Sequence, residues 1–384
     1  MSKVTSLVPP VSLPDKDLSG LRQEVREFLN QQREAGNFKP YADTWLSRWD
    51  EDFSKALAAK GWLGMTLPKE YGGHGLSFNE RFVVSEELLA QGAPVAAHWI
   101  ADRQIIPNLL RYGTPEQKDK YLPAIARGES YFGIGMSEPD SGSDLASVRT
   151  KATKVDGGWS ITGTKVWTSG GHKAHAFIVL ARSAPQDTTN RHAGLSQYLV
   201  EFAQEGVEVR PIVSMNGEHH FNEIFLTDVF VPDNMVVGEI GEGWQQVNSE
   251  LSFERSGPER VLSTFPLLAA TIDEINAGRL ASSSNLGRLI ARVTALRNMS
   301  AAIADALQHG KPADVAAAVS KVMGTTTEGD IADEIDLLVG DESGVSDEFR
   351  ELLNWSIDQR PGFTIRGGTN EILRGVVARG LGLR

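Results

Sequence analysis

Cysteine is missing from all 384 residues, which excludes disulfide staples, thiolate-held zinc and thiol catalysis together. Positive charge is scarce: 38 Lys and Arg face 50 Asp and Glu, for a formal net charge of −12. A nucleic-acid binder draws its affinity from neutralising phosphates with cations, so that class is set aside, while a local basic patch for one phosphorylated ligand is not. Long apolar runs are also absent. Met1 to Lys16 has no apolar signal core, and no stretch reaches the length of a membrane span, so the chain reads as a soluble protein of the cytoplasm. The phosphate loop G-x-x-x-x-G-K-[ST] is lacking too, as is the hydrolase nucleophile string G-x-S-x-G. Gly133-Ile134-Gly135 opens a dinucleotide-type loop, but Glu138 stands where its third glycine belongs. The eight histidines, including His172 and His175 and the pair His219-His220, have no carboxylates at ligand spacing, so no metal is expected.

What is present suggests two or three structural units, since 384 residues with 41% apolar content can bury several cores. From about Asp17 to Arg127 the apolar period is helical, with Leu18, Leu21, Val25, Phe28 and Leu29 on one stripe. Gly113-Thr114-Pro115-Glu116 punctuates this region. Thr114 is placed to cap a helix, Pro115 to fill its first position and Gln117 to complete a capping box. From about Tyr131 to Gly243 the pattern changes to strands. Val148 to Val155 alternates, Asp156-Gly157-Gly158 supplies a hairpin turn, and Trp159 to Thr162 returns. Ala176 to Ala181, Gln197 to Phe202 and Glu223 to Val231 are further strand candidates, and the spacing predicts a small antiparallel barrel or sandwich. After Trp244 helices return, with a seam of Leu286, Leu289, Ile290, Val293, Leu296, Ile303 and Leu307 suited to a bundle. The expected domains are therefore 1–130 helical, 131–243 β and 244–384 helical, an α+β multidomain chain. Ala281-Ser282-Ser283-Ser284 is a polar break, and the first dozen residues are expected to be loose.

Four strings then occur in one register: Gly113-Thr114-Pro115-Glu116-Gln117-Lys118, Ser137-Glu138-Pro139-Asp140-Ser141-Gly142-Ser143-Asp144, Gly163-Thr164-Lys165-Val166-Trp167-Thr168-Ser169-Gly170-Gly171 and Gly367-Gly368-Thr369-Asn370-Glu371-Ile372. With these the sequence resembles the flavin-dependent acyl-CoA dehydrogenases over nearly its whole length. The resemblance implies an N-terminal helical domain, a middle β-domain and a C-terminal four-helix bundle. It also implies FAD held between β-domain and bundle, and a tetramer. The implied reaction removes an α-proton and a β-hydride from an acyl-CoA to give a trans-2-enoyl-CoA, with electrons passed to an electron-transferring flavoprotein. Met136 and Ser137 match positions at the isoalloxazine edge, Trp167 a wall against the flavin, and Ser169 a hydroxyl near its N5 atom. Ser143 matches a position near the flavin or the CoA thioester. Gly368, Thr369 and Glu371 match the segment that faces the adenosine side of FAD, where the last residue is often Gln. A glutamate there accepts hydrogen bonds and cannot donate them.

In many relatives the catalytic base is a glutamate where this sequence has Gly367, and a glycine cannot take a proton. A bacterial subfamily carries the base on the first bundle helix, just before an arginine. Leu251-Ser252-Phe253-Glu254-Arg255 matches that pattern, so the resemblance makes Glu254 the base and Arg255 a residue that orders the site. Leu251, with Trp99 and Met136, is a candidate to line the acyl pocket. Arg366, Arg374, Arg379 and Arg384 form a cationic C-terminal string, partly suited to helix ends and partly to phosphates. Two departures concern the pyrophosphate. An Arg-x-Phe-Gly string is absent from about Asn276 to Arg297, and Asp336 begins the Asp336-Leu337-Leu338-Val339-Gly340 segment where relatives have Gln. These gaps leave a homotetramer and a heterotetramer with a related subunit both open. A non-catalytic or half-site subunit, an acyl-CoA oxidase and a desulfinase-like lyase are the rival readings. The acyl group, whether fatty, branched or a steroid side chain, is not specified. Asn216 to Glu223 resembles a bacterial-subfamily string near the substrate entrance and is assigned only a turn into the strand Ile224-Phe225-Leu226.

Overall fold

Helices begin where a side chain can satisfy the free backbone N–H groups of the first turn. The computed structural model describes residues 9, 16–255, 257–340 and 344–383, with the side chains of residues 252–254 outside the description. Of the first dozen residues, expected to be loose, only residue 9 falls within it. Thr114 Oγ1 accepts from Gln117 N at 3.3 Å and the Gln117 side chain accepts from Thr114 N at 3.2 Å, the capping box expected from sequence. In chain order the first helices are α1 (Ser19–Glu34), α2 (Thr44–Ser47), α3 (Glu51–Ala59), α4 (Phe78–Ala90), α5 (Ala96–Ile100), α6 (Ile106–Tyr112) and α7 (Pro115–Ala126). After the strands come α8 (Gly243–Arg255), α9 (Phe265–Asn276), α10 (Ser284–Gln308), α11 (Asp314–Val339), α12 (Asp347–Phe363) and α13 (Asn370–Gly380). No helix among the described residues is long and apolar enough to cross a membrane.

The chain divides into two compact units, one of Met1–Arg48, Leu76–Pro94 and Glu254–Arg384, the other of Trp49–Gly75 and Val95–Phe253. In the first, α10 buries Leu286, Leu289, Val293, Leu296 and Ile303. Ile290, expected in the same seam, is 42% exposed. It lies roughly a quarter turn from the centre of the buried stripe, where helical geometry turns a side chain to the flank. Ser283, in the polar break, caps α10 by accepting from Asn285 N at 3.2 Å.

In the second unit the strands are β1 (Phe132–Gly135), β2 (Lys151–Val155), β3 (Gly158–Ser169), β4 (Ala176–Arg182), β5 (Leu195–Glu201), β6 (Val207–Val213), β7 (His219–Pro232) and β8 (Val236–Val237). Their order is β6-β7-β3-β2-β4-β5-β8, with β1 beside β4. Most neighbours are antiparallel, but β1 and β2 both pair with β4 in parallel. The β2–β3 hairpin lies between β1 and β4 in sequence, long enough to serve as the crossover that parallel pairing requires. Its turn is Asp156-Gly157, with Gly157 at φ +70°, and β3 runs on past Thr162 to Ser169. β2 starts at Lys151 rather than Val148 because the Arg149 and Thr150 N–H groups are taken by the Glu138 carboxylate, at 2.7 and 2.8 Å. Phe177, Val179, Tyr198, Val200, Ile224 and Leu226 form the apolar core of this unit.

Candidate active site

Residues 136–138 follow directly from β1, and a buried ion pair fixes their path. Lys165 is fully buried in β3; its Nζ donates to Glu138 Oε1 at 2.8 Å and to the Met136 carbonyl at 3.2 Å. Glu138 also receives the two N–H groups that cut β2 short. Burial pushes the Glu138 carboxyl up, but Lys165 and the N–H donors outweigh it and hold the group below the usual carboxylate range. Burial draws the Lys165 ammonium down to about 8, with Glu138 opposing the fall. Glu138, which stands at the third-glycine position of a phosphate loop, is therefore an anchor for the loop that carries Met136 and Ser137.

A β-bulge lies next to that loop. The β3–β7 register passes from Lys165↔Ile224 to Thr168↔Asn222, so β3 carries one extra residue. Trp167 sits in it at φ +62°, a conformation that costs a bulky side chain of order 1–3 kcal/mol, and its indole is 57% exposed. Val166 N donates to the Ser137 carbonyl at 2.9 Å, which joins bulge and loop. The Trp167 ring meets Phe221 edge-on at 5.5 Å. Met136 and Ser137, just past the end of β1, are thus tied to the end of β3 that carries Trp167 and Ser169, the two serines half-buried. Gly170, at φ +65°, passes so close to Trp49 that a Cβ there would sit 2.4 Å from the indole. Ser143 is exposed in the following loop, where Ser141 Oγ donates to the Asp144 carbonyl at 2.8 Å. Leu251 packs with Met136, Leu145 and Trp244 against Val148, Leu180, Leu195 and Val247. Trp99, a candidate pocket residue, is 3% exposed and belongs to the core.

The other unit carries the remaining candidates. Gly367 and Gly368 are at φ +67° and +82°, and Arg255 Nε donates to the Gly367 carbonyl at 3.1 Å. Arg255 therefore ties the end of α8 to this loop. Thr369 caps α13, accepting from Ile372 N at 3.3 Å. Glu371 is exposed in the first turn and held below the usual carboxylate range by backbone N–H and by the Thr369 hydroxyl. Asn370 is buried beneath it, with Oδ1 accepting from Lys321 Nζ at 3.0 Å and Thr325 Oγ1 at 3.2 Å. Arg366 is engaged inside the fold: Nη2 donates to Asp43 Oδ1 at 2.6 Å, and the guanidinium lies 4.6 Å from the Trp45 ring centre. Arg374 and Arg379 are exposed and Arg384 is outside the described residues. Glu254 lies in the last turn of α8, and its side chain is outside the described residues. Asp336 is exposed near the end of α11.

Sequence reasoning missed the Glu138–Lys165 anchor, Asp43 and Lys321. A lysine inside an otherwise strand-like run was a usable signal for the first, whereas Asp43 is 323 residues from its arginine and has none.

The order of helices, an eight-stranded sheet and helices again is that of a family of flavoprotein oxidoreductases. The chain belongs to the acyl-CoA dehydrogenase family. Family models match the N-terminal domain of acyl-CoA dehydrogenases at residues 15–129, the middle domain at 133–229 and the C-terminal domain at 279–382. The acyl-CoA dehydrogenase FadE34 of Mycobacterium tuberculosis is 36% identical over 344 residues, a match spanning 86% of this chain and 46% of that protein. The acyl-CoA dehydrogenase IpdE1 of Mycolicibacterium smegmatis is 34% identical over 357 residues, covering 86% of this chain and 87% of that one. Among solved structures, the Tcur3481-Tcur3483 steroid ACAD superposes with a TM-score of 0.83 at 30% identity, covering 95% of this chain and 97% of that chain. Acyl-CoA dehydrogenases are FAD flavoproteins, and FAD is the cofactor here. The residues present fit it: the β-domain carries an exposed flat indole, Trp167, two residues from the Ser169 hydroxyl and joined through Val166 to the Ser137 loop.

Proposed function

We propose that the protein dehydrogenates an acyl-CoA thioester at its α,β bond to the trans-2-enoyl-CoA and passes the electrons to an electron-transferring flavoprotein. The observation that carries this reading is the Trp167 bulge, an exposed indole held at positive φ beside Ser169 and hydrogen-bonded through Val166 to the Ser137 loop. Bound FAD supplies the acceptor for the hydrogen and electron pair that leave the β-carbon. Glu254 takes the α-proton as general base. Arg255 orders the loop at Gly367, its Nε donating to that residue's carbonyl. Ser137 and Ser169 donate hydrogen bonds to the flavin ring, with Met136 and Trp167 shielding it from water. Gly368, Thr369 and Glu371 receive the adenosine side, while Ser143 and Leu251 contact the thioester and acyl chain. Segments 1–130, 131–243 and 244–384 are the three functional parts, acting in the cytoplasm.

Gly367 carries no side chain where other relatives carry a glutamate, which suits a bulky acyl group. Together with the 30% identity to a steroid enzyme, it makes steroid side-chain thioesters the first substrates to test. The test is anaerobic bleaching of bound flavin by a panel of acyl-CoA thioesters, followed by electron transfer to the flavoprotein and by oxygen uptake. Polycyclic thioesters are expected to bleach faster than short straight chains, with little oxygen consumed. A panel without bleaching contradicts the reading, and rapid oxygen uptake turns it to an oxidase.

A second reading, a half-site subunit of a heterotetramer, is favoured by exposed Asp336, whose charge repels a pyrophosphate. Full FAD occupancy of the chain expressed alone supports a homotetramer. A colourless chain that gains flavin only with a related subunit supports the heterotetramer.

A further inference from the structure

Asn222 has no exposed surface and sits opposite Thr168, the first residue after the Trp167 bulge to regain its place in the β3–β7 register. Its Nδ2 donates to the Thr168 carbonyl at 3.0 Å. A carbonyl can only accept, so the amide nitrogen must face Thr168 and the amide oxygen must face the other way. The oxygen lies 2.8 Å from His219 Nε2, which therefore carries a hydrogen. The second Nδ2 hydrogen points to His172 Nδ1 at 3.2 Å, which leaves that atom unprotonated and puts the His172 hydrogen on Nε2. The two imidazoles stack at 4.0 Å, 24° from parallel. Partial burial, then His219 and Lys173 beside it, hold His172 down to about 4, consistent with an imidazole that accepts here. His172, His219 and Asn222 line a cleft of about 760 Å³ together with Tyr121, Phe202 and Pro211.

Three of the four hydrogen-bonding positions of the Asn222 amide are directed, and one of them fixes a backbone carbonyl next to a strained tryptophan. Without that bond the bulge keeps its tie at Val166 and the edge contact with Phe221, but the Thr168 carbonyl loses its side-chain donor and the peptide that closes the bulge can turn. Trp167 would then lose the conformation that exposes it, and Ser169, one residue further on, would move with it.

We propose that Asn222 is a positioning residue for the flavin wall, acting through the Thr168 carbonyl, with the His172–His219 stack setting the direction of its amide. The proposal deepens the reading of Trp167 and Ser169 as flavin contacts and rests on it. Asn222→Ala is compared with wild type in the FAD-loaded protein for flavin content, visible flavin band, and kcat and KM for flavin reduction by the best thioester of the panel. In the FAD-free protein the Trp167 contribution to near-ultraviolet circular dichroism is read by difference against Trp167→Phe in each background. Expected are full flavin content, a shifted flavin band, a weakened Trp167 signal and a kcat about tenfold lower with KM within about twofold, the pattern of a misplaced wall. An unchanged band, Trp167 signal and kcat overturn the proposal, even if the melting temperature falls. Asn222→Asp is read at the same endpoints if the alanine variant does not fold. It keeps the shape, removes the donor, and can share a proton with either imidazole. Failure of the functional reading is distinguishable, because wild type would then not bleach with any thioester while the Trp167 signal would still respond to Asn222.

Discussion

The bulge at Trp167 and the loop at Gly367 solve opposite problems. At the bulge, side chains over-determine a strained backbone: Lys165 and Glu138 hold residues 136–138, and Asn222 and Phe221 hold the bulge itself. In the loop the backbone is free of strain because both left-handed positions are glycine, and two arginines clamp it, Arg255 at the Gly367 carbonyl and Arg366 on Asp43. The first arrangement makes a rigid surface against which a flat ring can be placed. The second fixes a segment through its backbone, with no acid or base at Gly367 or Gly368. The difference shows how a carboxylate can be absent from this loop without loss of the fold: two glycines and two arginines fix its path with no acidic side chain in it.

Removing the anchor beside the bulge should have the largest effect on stability. Lys165→Met leaves Glu138 buried without its cation, and a loss of about 3–5 kcal/mol in urea unfolding is expected. A loss below about 1 kcal/mol would mean that residues 136–138 are not held as described.

On the loop side, Glu328 is fully buried near Arg366, its Oε1 accepting from Ser263 N at 2.8 Å. Burial pushes its carboxyl up to about 7, with Arg366 only partly opposing. Between the usual carboxylate value near 4.5 and about 7, the folded state keeps a proton that the unfolded chain releases. Stability contributed by this group therefore falls as pH rises through that window and is level above it. Glu328→Gln should remove the fall, raising Tm relative to wild type at pH 8 by roughly 2–4 °C and leaving it unchanged at pH 4. Equal pH profiles for the two proteins would show that Glu328 does not titrate in that window.

Glu371 should give the smallest effect. Glu371→Gln restores a donor at the start of α13, and FAD retention in dialysis is expected to improve by no more than about fivefold. Weakened retention would mean that the carboxylate itself takes part in binding.

Much of this was visible in the sequence because it is local. The Thr114–Gln117 capping box spans four residues, and β4, β5 and β7 announce themselves by apolar, β-branched runs between turns. Interactions between distant residues were not visible. Lys165 meets Glu138 across 27 residues and Arg366 meets Asp43 across 323, and no periodicity encodes either. The early end of the alternating Val148–Val155 pattern has the same cause, since a carboxylate from another loop captures the N–H groups that β2 would use. Four motifs named the elements that carry the candidate site, but only the folded chain shows that the string His219 to Asn222, read from sequence as a turn, buttresses the bulge.

Glu254 as base is the claim on which the functional account turns, and single-turnover flavin reduction tests it most directly. Wild type and Glu254→Gln, each loaded with FAD and mixed anaerobically with the best acyl-CoA of the panel, should bind the thioester equally well. The glutamine variant should bleach about 10³-fold more slowly. Bleaching within a factor of about two of wild type would place the base elsewhere and contradict the account.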